Sequence, residues 1–199
     1  LLFIELLSLL FILLFIKKGN NLFLFLSAIF AGLSFLSYTP GRIFFLLPLT
    51  FLFIKKINFK KVFYFILTFL IISAHLIFYL LVHKDVRVTK ISVFSQNVSV
   101  PLKLSLISNN IQKTALMFNI SGDINGRHNF PGKSALNPIL GILFILGIIL
   151  AAQNIHDYRN KLFLLYFLIS IFPTLMTQSI DNPNMLRTFT ALPSVIYFI

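Results

Sequence analysis

The residues of this chain best equipped for chemistry are Arg42, Asp123, Asn125, Arg127, His128 and Arg187. The densest group is Ser121-Gly122-Asp123-Ile124-Asn125-Gly126-Arg127-His128-Asn129, where glycines permit tight turns. A guanidinium at Arg127 suits phosphate oxygens, because its planar fork meets them bidentately. The His128 imidazole can shuttle a proton or hydrogen-bond a hydroxyl near neutral pH. Asp123 can serve as a general base. It can equally pair with Arg127 in a self-satisfied loop whose Asn side chains cap turns. Arg42 follows the helix-breaking run Tyr38-Thr39-Pro40-Gly41, and Arg187 precedes the last apolar run. Each can clamp a phosphate or simply anchor the chain at a membrane surface. With no cysteine, disulfides and thiolate metal sites are excluded. No metal-ligand spacing, phosphate-cradling glycine loop or nucleophile elbow occurs, so neither metal nor cofactor is expected.

The elements that must position these groups are apolar. Of 199 residues, 58% are hydrophobic and 11% charged, where a soluble domain carries about 25% charged residues. Mean hydropathy is +0.93. A soluble core of this size cannot hide so much apolar surface, so lipid is the expected solvent. The net charge of +12 does not indicate nucleic acid. Its Lys and Arg residues cluster at the ends of apolar runs, where they flank membrane helices and meet anionic lipid.

A hydrocarbon layer of about 30 Å calls for about 20 helical residues. Apolar runs near 1–16, 21–37, 40–54, 62–82, 138–154, 162–177 and 191–199 are therefore read as six to seven spans. The expected fold is an all-α, polytopic transmembrane helix bundle. Thr39 as N-cap with Pro40 at the first helical position predicts a helix starting there. Residues 83–137 form one longer loop. Leu1 and Ile199 both fall inside apolar runs, so the chain is expected to be a segment of a longer protein.

Three short turns carry Lys17, Lys18, Lys55, Lys56, Lys60, Lys61, Arg159 and Lys161. Short basic loops stay in the cytoplasm. Alternation then sends Tyr38–Arg42, residues 83–137 and the stretch with Asp181, Asn182 and Arg187 to the other side. Every chemistry-bearing stretch faces outward, and the chain is expected in a plasma (inner) membrane.

Three blocks resemble the GT-C superfamily of membrane glycosyltransferases, specifically bacterial relatives of the dolichyl-phosphate-mannose–protein mannosyltransferases. They are Gly32-Leu33-Ser34 with Tyr38-Thr39-Pro40-Gly41-Arg42; Met117-Phe118 with Gly122-Asp123, Asn125, Arg127-His128-Asn129 and Pro131-Gly132; and Pro173 with Arg187-Thr188 and Ala191-Leu192-Pro193. The resemblance covers roughly the last 170 residues, and its second block is the most specific. It implies a GT-C fold and transfer of a mannose-like hexose or a pentose from a polyprenyl-phosphate carrier to a lipid or protein acceptor. Membrane lipids are the other expected partners. It also implies a catalytic acidic residue in a first outer loop, which has no counterpart here and is expected upstream of Leu1. The alternative is a transporter or flippase for lipid-linked or anionic solutes, which predicts paired broken helices and mid-membrane polar residues.

Two further polar residues lie within apolar runs. Glu5 is expected to reach water at the outer surface, and His75 to make a hydrogen bond between helices.

Overall fold

The computed structural model describes residues 1–83 and 85–199, with the side chains of Arg87 and Asp181 outside that description. The regular elements are helical; the strand-like pairing among the described residues is a single bridge between Ser92 and Thr177. The all-α expectation holds. The chain divides into two compact units, Leu1–Asp85 and Val86–Ile199.

The first unit contains α1 (Leu2–Lys18), α2 (Asn21–Ser37), a 3-10 turn (Thr39–Ile43), α3 (Leu46–Ile54) and α4 (Phe59–Val82). Asn20 and Asn58 cap α2 and α4 by accepting from the Leu22 and Lys60 amides, each at 2.9 Å. α2 packs against both α1 and α4. Against α1, Ser8 and Ser27 each donate to the other's backbone carbonyl at 2.9 Å. Against α4, a Cβ on Gly32 would sit 2.7 Å from Ile72 Cγ2, so only glycine permits this approach. Leu9, Ile12, Phe15, Leu24, Ala28, Phe65 and Phe69 are buried between these helices. Lys61 Nζ lies 5.2 Å from the centroid of Phe15, which brings the end of α1 beside the start of α4. The basic turns at 17–21 and 55–61 therefore share one end of this unit, as alternation requires.

Three expectations change here. Thr39 does not cap an α-helix. Tyr38 precedes a 3-10 turn in which Gly41 donates to the Tyr38 carbonyl at 2.9 Å, and α3 begins only at Leu46. The turn is held against α2 by Ser34 Oγ, which donates to the Gly41 carbonyl at 3.3 Å. Glu5 does not reach water either. It is 1% exposed, and the Ser34 hydroxyl shares its one proton between the Gly41 carbonyl and the Glu5 carboxylate, 3.4 Å away. His75 is exposed on α4, and the helix–helix hydrogen bond expected of it is not found among the described residues.

The second unit contains α5 (Val86–Ile91), α6 (Val100–Asn119), α7 (Pro138–Gln153), α8 (Tyr158–Leu175) and α9 (Leu192–Phe198). Residues 83–137 are therefore not one loop, since they hold the 20-residue α6. The apolar-stripe rule misses this helix because its buried stripe includes Asn110 and Thr114. Asn110 Nδ2 donates to the Leu175 and Thr177 carbonyls at 3.0 and 2.6 Å. Thr114 donates to Asn182 Oδ1 at 3.1 Å, and Asn182 Nδ2 donates to the Thr174 carbonyl at 2.9 Å. Below this polar seam, Met117, Phe118, Phe144, Ala191, Val195 and Phe198 form the unit's core.

Among the described residues, one helix, α4, is by itself both long and apolar enough to cross a bilayer. Of the shorter apolar helices, α1 and α2 in the first unit have 17 residues each and α7 in the second has 16. Helix length alone thus gives fewer full spans than the six to seven expected.

Candidate functional site: an Asp–His pair at an apolar cavity

The connection from α6 to α7 turns back on itself. Gly122 donates to the Gly132 carbonyl at 3.0 Å, and Gly132 donates to the Asp123 carbonyl at 2.9 Å. A Cβ on Gly122 would lie 1.9 Å from the Lys133 carbonyl oxygen, a separation no other residue type tolerates. Ala135 and Leu136 then donate to the Met117 and Phe118 carbonyls at 3.0 and 2.9 Å. This pairing satisfies the open carbonyls at the end of α6 and fixes the loop to it.

Inside that loop Asp123 is 2% exposed. A buried carboxylate must be fully hydrogen-bonded to be tolerated, and this one is. Its Oδ1 accepts from the Asn125 amide at 2.8 Å. Its Oδ2 takes His128 Nδ1 at 2.6 Å and the Met185 amide at 3.0 Å. Asn125 Oδ1 in turn accepts from the Arg127 amide at 3.1 Å. These successive Asx turns orient Arg127 and His128 along one side of the loop.

Beside the loop lies a cavity of about 390 Å³. Arg127, His128 and Asn129 line one wall, while Met117, Phe118 and Val195 line it from the core. Leu186 and Thr188 contribute from the segment before α9. A second, almost wholly apolar cavity of about 410 Å³ lies between α6, α7 and α8. Phe118 lines both.

The structure brings Asp123, Asn125, Arg127 and His128 together. Asp123 pairs with His128, not with Arg127, and Arg127 is among the residues that line the cavity. Asp123 is consumed by its three donors and does not line the cavity. Arg187 lies between Leu186 and Thr188, with its amide capped by Asn184 Oδ1 at 3.0 Å; among the described residues it is not part of the lining. Arg42 belongs to the first unit, where it bonds Asp85 at 2.5 Å. Its Nε is buried with no partner among the described residues. The side chain of Asp181, noted above as outward-facing, lies outside the described residues. Sequence reading missed Met185, which acts through its backbone amide. The Asn182-Pro183-Asn184 run carries a turn signal but nothing that names its partner.

Among titratable groups, Asp157 shows a distinct shift. Hydrogen bonds from the Arg159 side chain and amide hold its carboxyl below the ordinary carboxylate range. This pair caps α8 and stands apart from the cavity. Comparison of the chain with protein-family profiles, with curated proteins and with solved structures finds no match.

Proposed function

We propose that this chain is part of a multi-pass plasma-membrane glycosyltransferase, and that the 390 Å³ cavity receives the phosphate end of a polyprenyl-phosphate sugar donor. One observation carries the reading: Arg127 and His128 stand at a cavity whose remaining lining, Asn129 and Thr188 apart, is apolar. An amphiphile with an anionic head matches that division, the head meeting the guanidinium and the first prenyl units meeting Phe118 and Val195.

The surfaces support a lipid setting. α4 exposes Phe59, Phe63, Ile71, Phe78 and Leu81, and α7 exposes Ile139, Ile142, Leu146 and Leu150. The helices of 16 and 17 residues then cross a locally thinned bilayer, or with flanking Lys and Arg snorkelling outward. The loop beside the cavity presents Ile124 and Phe130, 75% and 74% exposed, close in sequence to Arg127. Apolar side chains next to a cation suit the headgroup region. On this reading, the sugar passes to a lipid or protein acceptor on the extracytoplasmic side.

The test is saturable binding of decaprenyl-phosphate-mannose to the chain in lipid nanodiscs. Arg127→Ala is expected to weaken binding about tenfold, which corresponds to about 1.4 kcal/mol. Absence of saturable binding, or equal binding by a folded Arg127→Ala protein, overturns the reading.

A further inference from the structure

Asp123 and His128 form a pair whose geometry assigns more than phosphate binding. Nδ1 of His128 lies 2.6 Å from Asp123 Oδ2. Being acceptor-only, the carboxylate requires the proton on Nδ1. In the neutral ring Nε2 is then a bare lone pair. His128 lines the cavity, and its side chain is 13% exposed, against 3% for Asp123. Nε2 so disposed accepts from a ligand that donates, which a hydroxyl does and a fully ionised phosphate does not.

We propose that His128 is the proton acceptor of this cavity, receiving the proton of a sugar-type hydroxyl on Nε2, with Asp123 as its positioning residue. The inference rests on the reading above and names the hydroxyl-bearing half of what the cavity takes. For glycosyl transfer, the acceptor oxygen forms a bond to the anomeric carbon as its proton passes to Nε2. The bond from that carbon to the phosphate oxygen breaks, and its electron pair leaves with the phosphate beside Arg127. The imidazolium then returns its proton to water. Asp123 plays the part a buried carboxylate plays for any catalytic imidazole: it fixes tautomer and ring orientation. Its same oxygen holds the Met185 amide at 3.0 Å, so the segment before α9 is aligned with the ring. A base inside this unit does not require the upstream acid that the sequence resemblance implies.

The test uses the full chain in nanodiscs with ¹⁵N-labelled histidine and long-range ¹H–¹⁵N correlation. Of four histidines, the one missing from His128→Gln is expected to show, in its neutral form, a protonated Nδ1 and a bare Nε2. Octyl mannoside, which offers hydroxyls without phosphate, should shift that Nε2 signal. Asp123→Asn should abolish the tautomer bias. A His128 ring protonated on Nε2, or an Nε2 signal unmoved by octyl mannoside, overturns the inference even when farnesyl phosphate binds. Loss of farnesyl phosphate binding in the unmodified chain overturns instead the reading on which it rests. Should Asp123→Asn fail to fold, the tautomer and mannoside readings on the unmodified chain decide alone.

Discussion

Asp123 and Met185 are 62 positions apart, yet the Met185 amide donates to the Asp123 carboxylate at 3.0 Å. That bond ties the α6–α7 loop to the segment leading into α9, and it shares its acceptor oxygen with His128. Removing the charge at Asp123 therefore loosens two segments at once. Hydrogen bonds to charged groups contribute about 1.5–3 kcal/mol. Asp123→Ala is expected to destabilise the second unit by about that amount, and to speed hydrogen exchange at both Asn125 and Met185. Exchange rising at Asn125 alone contradicts this linkage.

Much of this was legible in the sequence, and the remainder was hidden for identifiable reasons. Composition and the apolar runs give helices at nearly the right places, because apolar length is a local property. The loop block around Asp123 to His128 marks a candidate site through its glycines and polar side chains. What a single sequence does not carry is pairing. Nothing local says that Asp123 prefers His128 to Arg127, nor that Met185 completes the set. α6 escapes for a second reason: its buried face is partly polar, so hydrophobic periodicity points away from it.

Gly122→Ala is a sharper perturbation than its one added methyl suggests. The new Cβ would meet the Lys133 carbonyl oxygen at 1.9 Å, so the Gly122–Gly132 bond must break. We expect faster proteolysis of residues 121–137 with α4 of the first unit unaffected. Limited proteolysis followed by mass spectrometry reads both.

Asn110 satisfies the Leu175 and Thr177 carbonyls and accepts from Ser179 Oγ at 3.2 Å. Asn110→Leu keeps the volume but strands those groups. A buried polar group left unpaired costs about 1–3 kcal/mol. Thermal unfolding in detergent should show this loss, whereas exposed Ile111→Leu should leave stability unchanged.

The Asp157–Arg159 pair gives a pH-dependent helix start. Because Asp157 titrates lower in the folded chain, its contribution is present above the ordinary carboxylate value, near pH 4. It is lost as pH falls through the still lower folded value. Amide protection in the first turn of α8, relative to intrinsic exchange, is expected to fall over that acid range. Asp157→Asn, which keeps a capping oxygen, should remove the pH dependence.

The chain contains no cysteine, so single introduced thiols report sidedness cleanly. Ser121→Cys in intact cells is expected to react with a membrane-impermeant maleimide added outside. Lys56→Cys should react only after the membrane is opened. The reverse pattern would invert the proposed topology.

The polar seam of α6 also has a consequence for the order of biosynthesis. The carbonyls that receive the Asn110 side chain lie 65 and 67 residues downstream. While the ribosome is still making α7 and α8, α6 has its helical backbone bonds but an unanswered amide on one face. It becomes complete only after Thr177 has been synthesised and delivered to it. Until then this helix carries a polar group with no partner within its own sequence neighbourhood, and the last third of the chain supplies one.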